Sequence, residues 1–231
     1  MSPKSIGAAT ALNLASQQPA LLILASRTRP RIQEVADKIQ QDYPGTRVEI
    51  VQLDLSSQKS VRQVAADVAA LTDKLDILIN NAGLVVTSRQ ATAEGIEMQF
   101  GTNHIGTFLF TNLLLPLLRK AAQNTPPGAT RIVSLSSAGH RLSPIRFSDY
   151  NFTGKPVPPE EDHVKPLPGA FGKCTPDGYN GIVAYAQSKT ANILFTRYLQ
   201  QHLPKYGIAA YTLHPGSTFA AANHRIVVKR C

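Results

Sequence analysis

The chain has 231 residues, of which 43% are hydrophobic and 17% charged. This length and composition suffice for one α/β domain with a buried core, and they exclude an intrinsically disordered chain. The net charge of +9 permits an anionic ligand, but the positive charges are scattered. Because the sequence has no tryptophan and no basic helix, we expect a phosphate-bearing small molecule rather than nucleic acid.

Cysteine content and apolar segments indicate the cellular compartment in which we expect the protein. Cys174 and Cys231 have the spacing of neither a disulfide framework nor a metal site. The longest apolar run, FLFTNLLLPLL, is too short to cross a bilayer and contains Pro116. ALLILAS, near the start, lacks the flanks of a signal peptide. We expect a cytoplasmic protein with no transmembrane segment and no metal ion.

Helical and strand patterns alternate along the chain. In chain order they are helix IGAATALNLAS, strand ALLILAS, helix RIQEVADKIQQDY, strand RVEIVQLDL, helix SSQKSVRQVAADVAAL, strand LDILINNAG, a long helix from about Glu94 to Ala122, strand RIVSLSS, helix VAYAQSKTANILFTRYLQQHL and strand IAAYTLHP. This alternation predicts an α/β fold with a doubly wound parallel sheet and helices on both faces.

Residues 141–181 interrupt this alternation with most of the prolines and several glycines. Such a segment is either an insertion over a site or a disordered linker, and long irregular segments inside a domain are often functional lids. We favour a partly ordered substrate loop within a single domain that spans residues 1–231.

Tyr185 and Lys189 of YAQSK are four residues apart, so one helix places both on one face. A tyrosine with its ordinary pKa of about 10 is a poor acid or base at neutral pH. A neighbouring ammonium lowers that pKa, and the pair can then move a proton. The same spacing also occurs in ordinary amphipathic helices, so the pair alone does not decide the function.

Three further polar positions follow strands or interrupt a helix. Ser137 ends a buried strand, at the sheet edge where ligands bind, and either bonds a substrate carbonyl or ends a turn. NNAG, Asn80 to Gly83, either lets the backbone approach a ligand or forms a simple turn. Asn103 is a poor helix former within the long helix. It is either a solvated or core-bonded amide, or a kink that frees a carbonyl for a proton-relay water.

The segments SIG, LDL, NNAG, TNHIGTFLFT, VSLSS, YAQSK and HPG occur in this order, and together they resemble the short-chain dehydrogenase/reductase family. ASRT, NHIGTFLFT and YAQSKTANILFTRYL are most similar to its retinol-dehydrogenase-like and WW-domain-oxidoreductase-like members. The resemblance covers roughly Ser5 to Gly216. It implies a Rossmann-type fold that binds NAD(P), and hydride transfer between nicotinamide and a carbonyl or secondary alcohol of an apolar small molecule.

The resemblance also implies roles for matching residues. Tyr185 would be the acid/base, and Lys189 would lower its pKa and hold the nicotinamide ribose. Ser137 would orient the substrate, and Asn103 would complete the tetrad through a water. Other positions would line the cofactor, with Asp54 at the adenine and the last two at the nicotinamide: Ile6, Gly7, Asp54, Leu55, Asn80, Ala82, Gly83, Pro215 and Gly216. The helices around Asn103 and Tyr185 would also allow a homodimer.

The end of the strand ALLILAS bears on the choice of cofactor. Enzymes that prefer NAD place an acidic residue there for the ribose hydroxyls. This chain has Ser26 and then Arg27, and an arginine fork suits a 2′-phosphate. The position favours NADP(H), although a solvated arginine after a strand is the simpler alternative.

Both ends of the chain depart from the family's pattern. The family begins with an apolar strand and Thr-Gly, and here only Ile6 and Gly7 remain clear. We expect the central strand, between ALLILAS and LDILINNAG, to be missing, and residues 217–231 to be an atypical tail in a shortened C-terminal part. Two functions remain open: an NADP(H)-dependent oxidoreductase, or a truncated non-catalytic remnant or binding protein unable to hold the cofactor.

Overall fold

The computed structural model of the chain describes residues 5–167 and 169–216. The described residues group into two compact units, the first with residues 5–52 and 214–216 and the second with residues 53–213. The expected atypical tail, residues 217–231, lies outside the described residues. A single domain spanning the whole chain stays a prediction.

The first unit packs two helices on a parallel pair of strands. Its elements are α1 (Ile6–Ala15), β1 (Leu22–Ser26), α2 (Arg29–Asp42) and β2 (Val48–Gln52). The strands pair from Leu22 with Val48 to Ser26 with Gln52. Small residues of α1 and branched residues of α2 pack on β1 and form the core of this unit, which includes Ala8, Leu24, Ile32 and Ile39.

The second unit is built on a three-stranded parallel sheet with the order β3-β4-β5. Its elements are α3 (Gln58–Leu71), β3 (Ile77–Asn80), α4 (Met98–Phe100), a π-helical segment (Gly101–Gly106), α5 (Thr107–Ala122), β4 (Thr130–Leu135), α6 (Gly181–His202) and β5 (Ile208–Leu213). The carboxyl ends of β3 and β4 lead into the segments that carry the predicted site residues.

The predicted α/β class with parallel strands and flanking helices is confirmed. The strands form two sheets, β1-β2 and β3-β4-β5. Within the described part of the chain β1 pairs only with β2 and β3 only with β4. The missing central strand stays a prediction.

The long predicted helix differs from the observed one in its start and its regularity. It begins at Met98 rather than near Glu94, because the Glu97 carboxylate caps it by accepting the backbone N–H groups of Gln99 and Phe100. It then widens into the π-helical segment before α5 begins at Thr107. Such turns are rare and are often found at functional sites.

The proline- and glycine-rich segment 141–181 is anchored near both ends by Arg89. Its guanidinium donates to the backbone carbonyls of Asn151 and Phe152, and it forms an ion pair of 2.8 Å with Asp177. Short 3-10 turns shape the segment, among them Ala138–Leu142 and Pro159–Glu161. The two anchored ends therefore converge on the loop that follows β3.

The part of the chain that the structure describes contains neither a membrane-spanning helix nor a metal-binding cluster. None of the helices there combines the length and the apolar character needed to cross a bilayer. The same residues bring together no group of three or more His, Cys, Asp or Glu side chains that could hold a metal ion.

Candidate active site

Lys189 lies on α6 and is almost fully buried, with 4% of its surface exposed. Its Nζ donates to the backbone carbonyl of Leu135, at the end of β4, at 3.1 Å. It also lies 5.6 Å from the centre of the Tyr185 ring, so one face of α6 carries both side chains. Burial, which no acidic group among the described residues offsets, lowers the pKa of this ammonium to about 8.

Ser137 and Tyr185 both lie beside Gly139. A β-carbon at Gly139 would lie 3.4 Å from Ser137 Oγ and 3.4 Å from Cε1 of the Tyr185 ring. Ser137 Oγ caps the following 3-10 turn by accepting the N–H of Gly139 at 3.1 Å. Because the hydroxyl is the acceptor in that bond, its own proton is left to donate to another oxygen.

Asn103 is completely buried in the π-helical segment. Its amide bonds both backbone groups of Leu84, accepting from the N–H at 2.8 Å and donating to the carbonyl at 3.0 Å. It also donates to Ser188 Oγ at 3.1 Å, and Ser188 donates to the backbone carbonyl of Tyr185 at 2.7 Å. Of the two alternatives, the side chain is a core-bonded amide, and it lies within an irregular turn of the helix.

Gly83 follows β3 at the point where the side chains of Asn103 and Lys189 meet. A β-carbon there would lie 3.3 Å from Asn103 Oδ1 and 3.3 Å from Lys189 Nζ. The neighbouring Ala82 is exposed, while Asn80 is half-buried and donates to Thr111 Oγ1 at 3.0 Å. The end of β3 thus presents open backbone beside two polar side chains.

Asp54 and Leu55 follow β2 and belong to the second unit. Asp54 Oδ1 accepts the backbone N–H of Ser56 at 2.9 Å and the Ser56 hydroxyl at 2.6 Å, in a turn that precedes α3. The predicted contact of Asp54 with adenine stays a prediction.

The remaining predicted residues lie in the first unit. Gly7 is buried in the first turn of α1, and Ile6 is half-buried beside it. Arg27 is exposed between β1 and α2, and its backbone carbonyl accepts from Gln52 Nε2 at 3.1 Å. Ser26 ends β1. Pro215 and Gly216 close the described part of the chain, with Gly216 at a φ of 89° that favours glycine.

The structure therefore brings together, within the second unit, the four predicted tetrad residues in two pairs: Asn103 with Lys189, and Ser137 with Tyr185. Ser188 was missed, although it lies within YAQSK between two chosen residues. Its small polar side chain in the middle of a buried helix was the available signal. The hydrogen bonds of Tyr179 with Glu97 and Gln99 were also not predicted, because Tyr179 is 80 or more positions from both in sequence.

A family model described as short chain dehydrogenase matches residues 3–153, which is more than half of the chain. The chain belongs to this family. The matched range contains the segments that hold Asn103 and Ser137, while Tyr185 and Lys189 lie beyond it.

Two relatives indicate which branch of the family the chain resembles. Oxidoreductase fscI of Fusarium equiseti is 35% identical over 213 residues, which cover 91% of this chain and 82% of that protein. Retinol dehydrogenase 13 of Homo sapiens is 37% identical over 211 residues, which cover 91% of this chain and 55% of that enzyme. The chain is thus similar to the retinol-dehydrogenase-like branch, and it spans about half the length of the human relative.

Solved structures show the same fold. A crystal structure of a protein from Mycobacterium Paratuberculosis has a TM-score of 0.69 at 32% identity, over 94% of this chain and 66% of that one. A metagenomic short-chain oxidoreductase in complex with NADP has a TM-score of 0.64 at 21% identity, over 93% of this chain and 78% of that one.

Proposed function

We propose that the chain is an NADP(H)-dependent oxidoreductase that interconverts a carbonyl and an alcohol of an apolar small molecule. The observation that carries this proposal is the ammonium of Lys189, buried beside the Tyr185 ring, where none of the acidic groups that the structure describes offsets its burial. A buried charge without a compensating anion is costly, and such groups mark functional sites.

Residues of each unit, taken separately, suit one part of a dinucleotide with an additional phosphate. Gly83 keeps the space between Asn103 and Lys189 free of a side chain, and ribose hydroxyls are suitable acceptors for the ammonium. Arg27 has no neighbouring carboxylate in sequence and would bind the 2′-phosphate through its planar fork. The metagenomic relative whose structure contains NADP supports this choice. When bound, the cofactor would supply or accept the hydride.

Tyr185 would handle the proton. In reduction its hydroxyl would donate to the oxygen of the substrate carbonyl, and in oxidation its phenolate would take the proton from the alcohol. The Lys189 ammonium, whose Nζ lies 5.6 Å from the centre of the ring, would hold the nicotinamide ribose beside it. Ser137 would donate its free hydroxyl proton to the same substrate oxygen and hold it beside Tyr185.

Asn103 would contribute through its backbone carbonyl rather than through its side-chain amide. Its amide is already bonded to Leu84 and Ser188, and so holds the loop after β3 against α6. Only its backbone carbonyl, within the π-helical segment, would be left to hold a relay water. Segment 141–181 would shape the substrate pocket. The homodimer stays a prediction.

The alternative function is a non-catalytic binding protein on the same scaffold. Within the described residues β1 pairs only with β2 and β3 only with β4, and this favours the alternative, because a strand edge without a partner leaves backbone N–H and C=O groups unpaired. This alternative differs from the proposed function in one measurable property, which is the binding of the cofactor.

Fluorescence titration of the purified 231-residue chain with NADPH tests the proposal, since the chain has no tryptophan to interfere. We expect saturable binding of NADPH that is stronger than that of NADH and is weakened by Arg27→Ala. A screen of apolar aldehydes and ketones for NADPH oxidation follows. A folded sample that binds neither nucleotide would contradict the proposal and support the alternative.

A further inference from the structure

A buried polar cluster lies at the start of α6, next to the proposed active site. It consists of Glu97, Gln99 and Tyr179, which are 2%, 0% and 0% exposed, and we call it the Tyr179 cluster. Burial raises the pKa of the Glu97 carboxyl. Burial and the Glu97 charge together raise the pKa of the Tyr179 phenol well above its ordinary value. Buried polar groups of this kind are retained only when their hydrogen bonds are satisfied.

The hydrogen bonds of the cluster are short and run in one direction. Gln99 Nε2 donates to Tyr179 Oη at 2.8 Å, and Tyr179 Oη donates to Glu97 Oε1 at 2.7 Å. The Glu97 carboxylate also accepts the backbone N–H groups of Gln99 at 3.0 Å and Phe100 at 2.7 Å. Each member therefore fixes the orientation of the next, and Tyr179 joins the end of segment 141–181 to the start of α4.

Gln99 connects this cluster to Tyr185. Its Nε2 also donates to the backbone carbonyl of Gly181, the first residue of α6, at 2.7 Å. In an α-helix the carbonyl of one residue accepts the N–H of the residue four positions later. The oxygen that Gln99 binds is therefore the helical acceptor for the backbone N–H of Tyr185.

The first turn of α6 also packs directly against the loop that follows β3. A β-carbon at Gly181 would overlap the carbonyl oxygen of Val86, so the helix starts in direct contact with the loop after β3. Val86 is itself bonded to the Gln99 amide through its N–H at 3.3 Å. The cluster thus fixes both α6 and the loop that carries Gly83.

We propose that Tyr179, Glu97 and Gln99 are positioning residues that fix the first turn of α6 and thereby the place of the Tyr185 hydroxyl. They touch the helix that carries the acid/base rather than any reacting atom. This inference rests on the proposed function, because Tyr185 is the acid/base in it. Misplacement of a reacting group by a fraction of an ångström lowers the rate without a matching loss of binding.

Tyr179→Phe and Gln99→Met test the inference, with Tyr198→Phe as the matched control. Tyr198 lies on the same helix and is 56% exposed. We expect both cluster variants to lower kcat about tenfold while the dissociation constant of NADPH changes less than about twofold. The control should keep both values. A kcat equal to that of the wild type in both cluster variants, or an equal loss of kcat and NADPH affinity, would overturn the inference.

Hydrogen–deuterium exchange provides a second readout that needs no substrate. In the cluster variants the amides of residues 182–188 should exchange about tenfold faster, while those of α3 keep their wild-type rate. Equal acceleration in both helices would mean a general loss of stability and would contradict the inference, as would unchanged exchange in α6. If the wild type turns over no substrate, the proposed function fails, and the exchange experiment still decides whether the cluster fixes α6.

Discussion

The α-carbon of Gly106 faces the backbone carbonyl oxygen of Leu55 so closely that a β-carbon would overlap it. Gly106 ends the π-helical segment that contains Asn103, and Leu55 belongs to the turn before α3. The contact is between two main-chain segments, so no flexible side chain can move aside. It therefore links the position of Asn103 to the turn that carries Asp54.

Gly106→Ala should destabilise the chain by about 2 kcal/mol, because the added methyl group forces the helix and the turn apart. Urea denaturation followed by circular dichroism measures the loss. Gly45→Ala is the control, since nothing lies within 4 Å of a β-carbon at Gly45. Equal stability of the two variants would show that the turn of Leu55 moves freely.

Gly83→Ala should lower NADPH affinity roughly tenfold while changing the unfolding free energy by less than about 1 kcal/mol. The added methyl group would be 3.3 Å from both Asn103 Oδ1 and Lys189 Nζ, which must shift by a few tenths of an ångström. It would also fill space that the proposed cofactor uses. Fluorescence titration beside Gly45→Ala checks this, and unchanged affinity would place the nucleotide elsewhere.

Tyr185→Phe should lower kcat at least about 100-fold, because the proton can no longer pass through the phenol oxygen. The affinity for NADPH should stay within about twofold of the wild type, since the ring and Lys189 remain. Stopped-flow and steady-state rates with the best carbonyl substrate measure the effect, with Tyr198→Phe as the control. Turnover at the wild-type rate would exclude Tyr185 as the acid/base.

Because Lys189 is buried, the free energy of unfolding should rise with pH above about 8. Its pKa is about 8 in the folded chain against the ordinary 10.5, so between these values the unfolded chain binds more protons. The cost of burying the ammonium is fully present below this range and is lost above it. The shift corresponds to about 3 kcal/mol.

Lys189→Met removes this titration and keeps a side chain of similar length. From about pH 7 to about pH 10.5 the unfolding free energy of the wild type should therefore rise relative to that of the variant. Other titrating groups cancel in that difference. A difference that stays constant with pH would show that Lys189 keeps its ordinary pKa.

The helices and strands were predictable because each has a clear local pattern. Ser57 before α3 and the continuous apolar run that leads through β1 are visible in the sequence alone. The start of the long helix was wrong by about four residues. Its cap is the carboxylate of Glu97, whose other partner, Tyr179, is 82 residues away in sequence.

Family segments mark Ser137 and Tyr185 in the sequence, and the structure places both beside Gly139, while their roles stay predictions. The contacts that surround these residues could not be predicted in the same way. Asn103 bonds Leu84 and Ser188, and Gln99 bonds Gly181, across separations of 19, 85 and 82 positions. Such bonds depend on how the loops after β3 and β4 fold back on α6, which no local pattern specifies.

The residue proposed to select the phosphate and the residues proposed to move the proton belong to different units. Arg27, which would select the phosphate, belongs to the first unit, whereas Ser137, Tyr185 and Lys189 belong to the second. Under the proposed function, nucleotide preference and proton chemistry would therefore be encoded in separate stretches of the gene. Substitutions in residues 5–52 would then change which coenzyme is preferred, during evolution or engineering. The residues proposed to move the proton would stay unchanged.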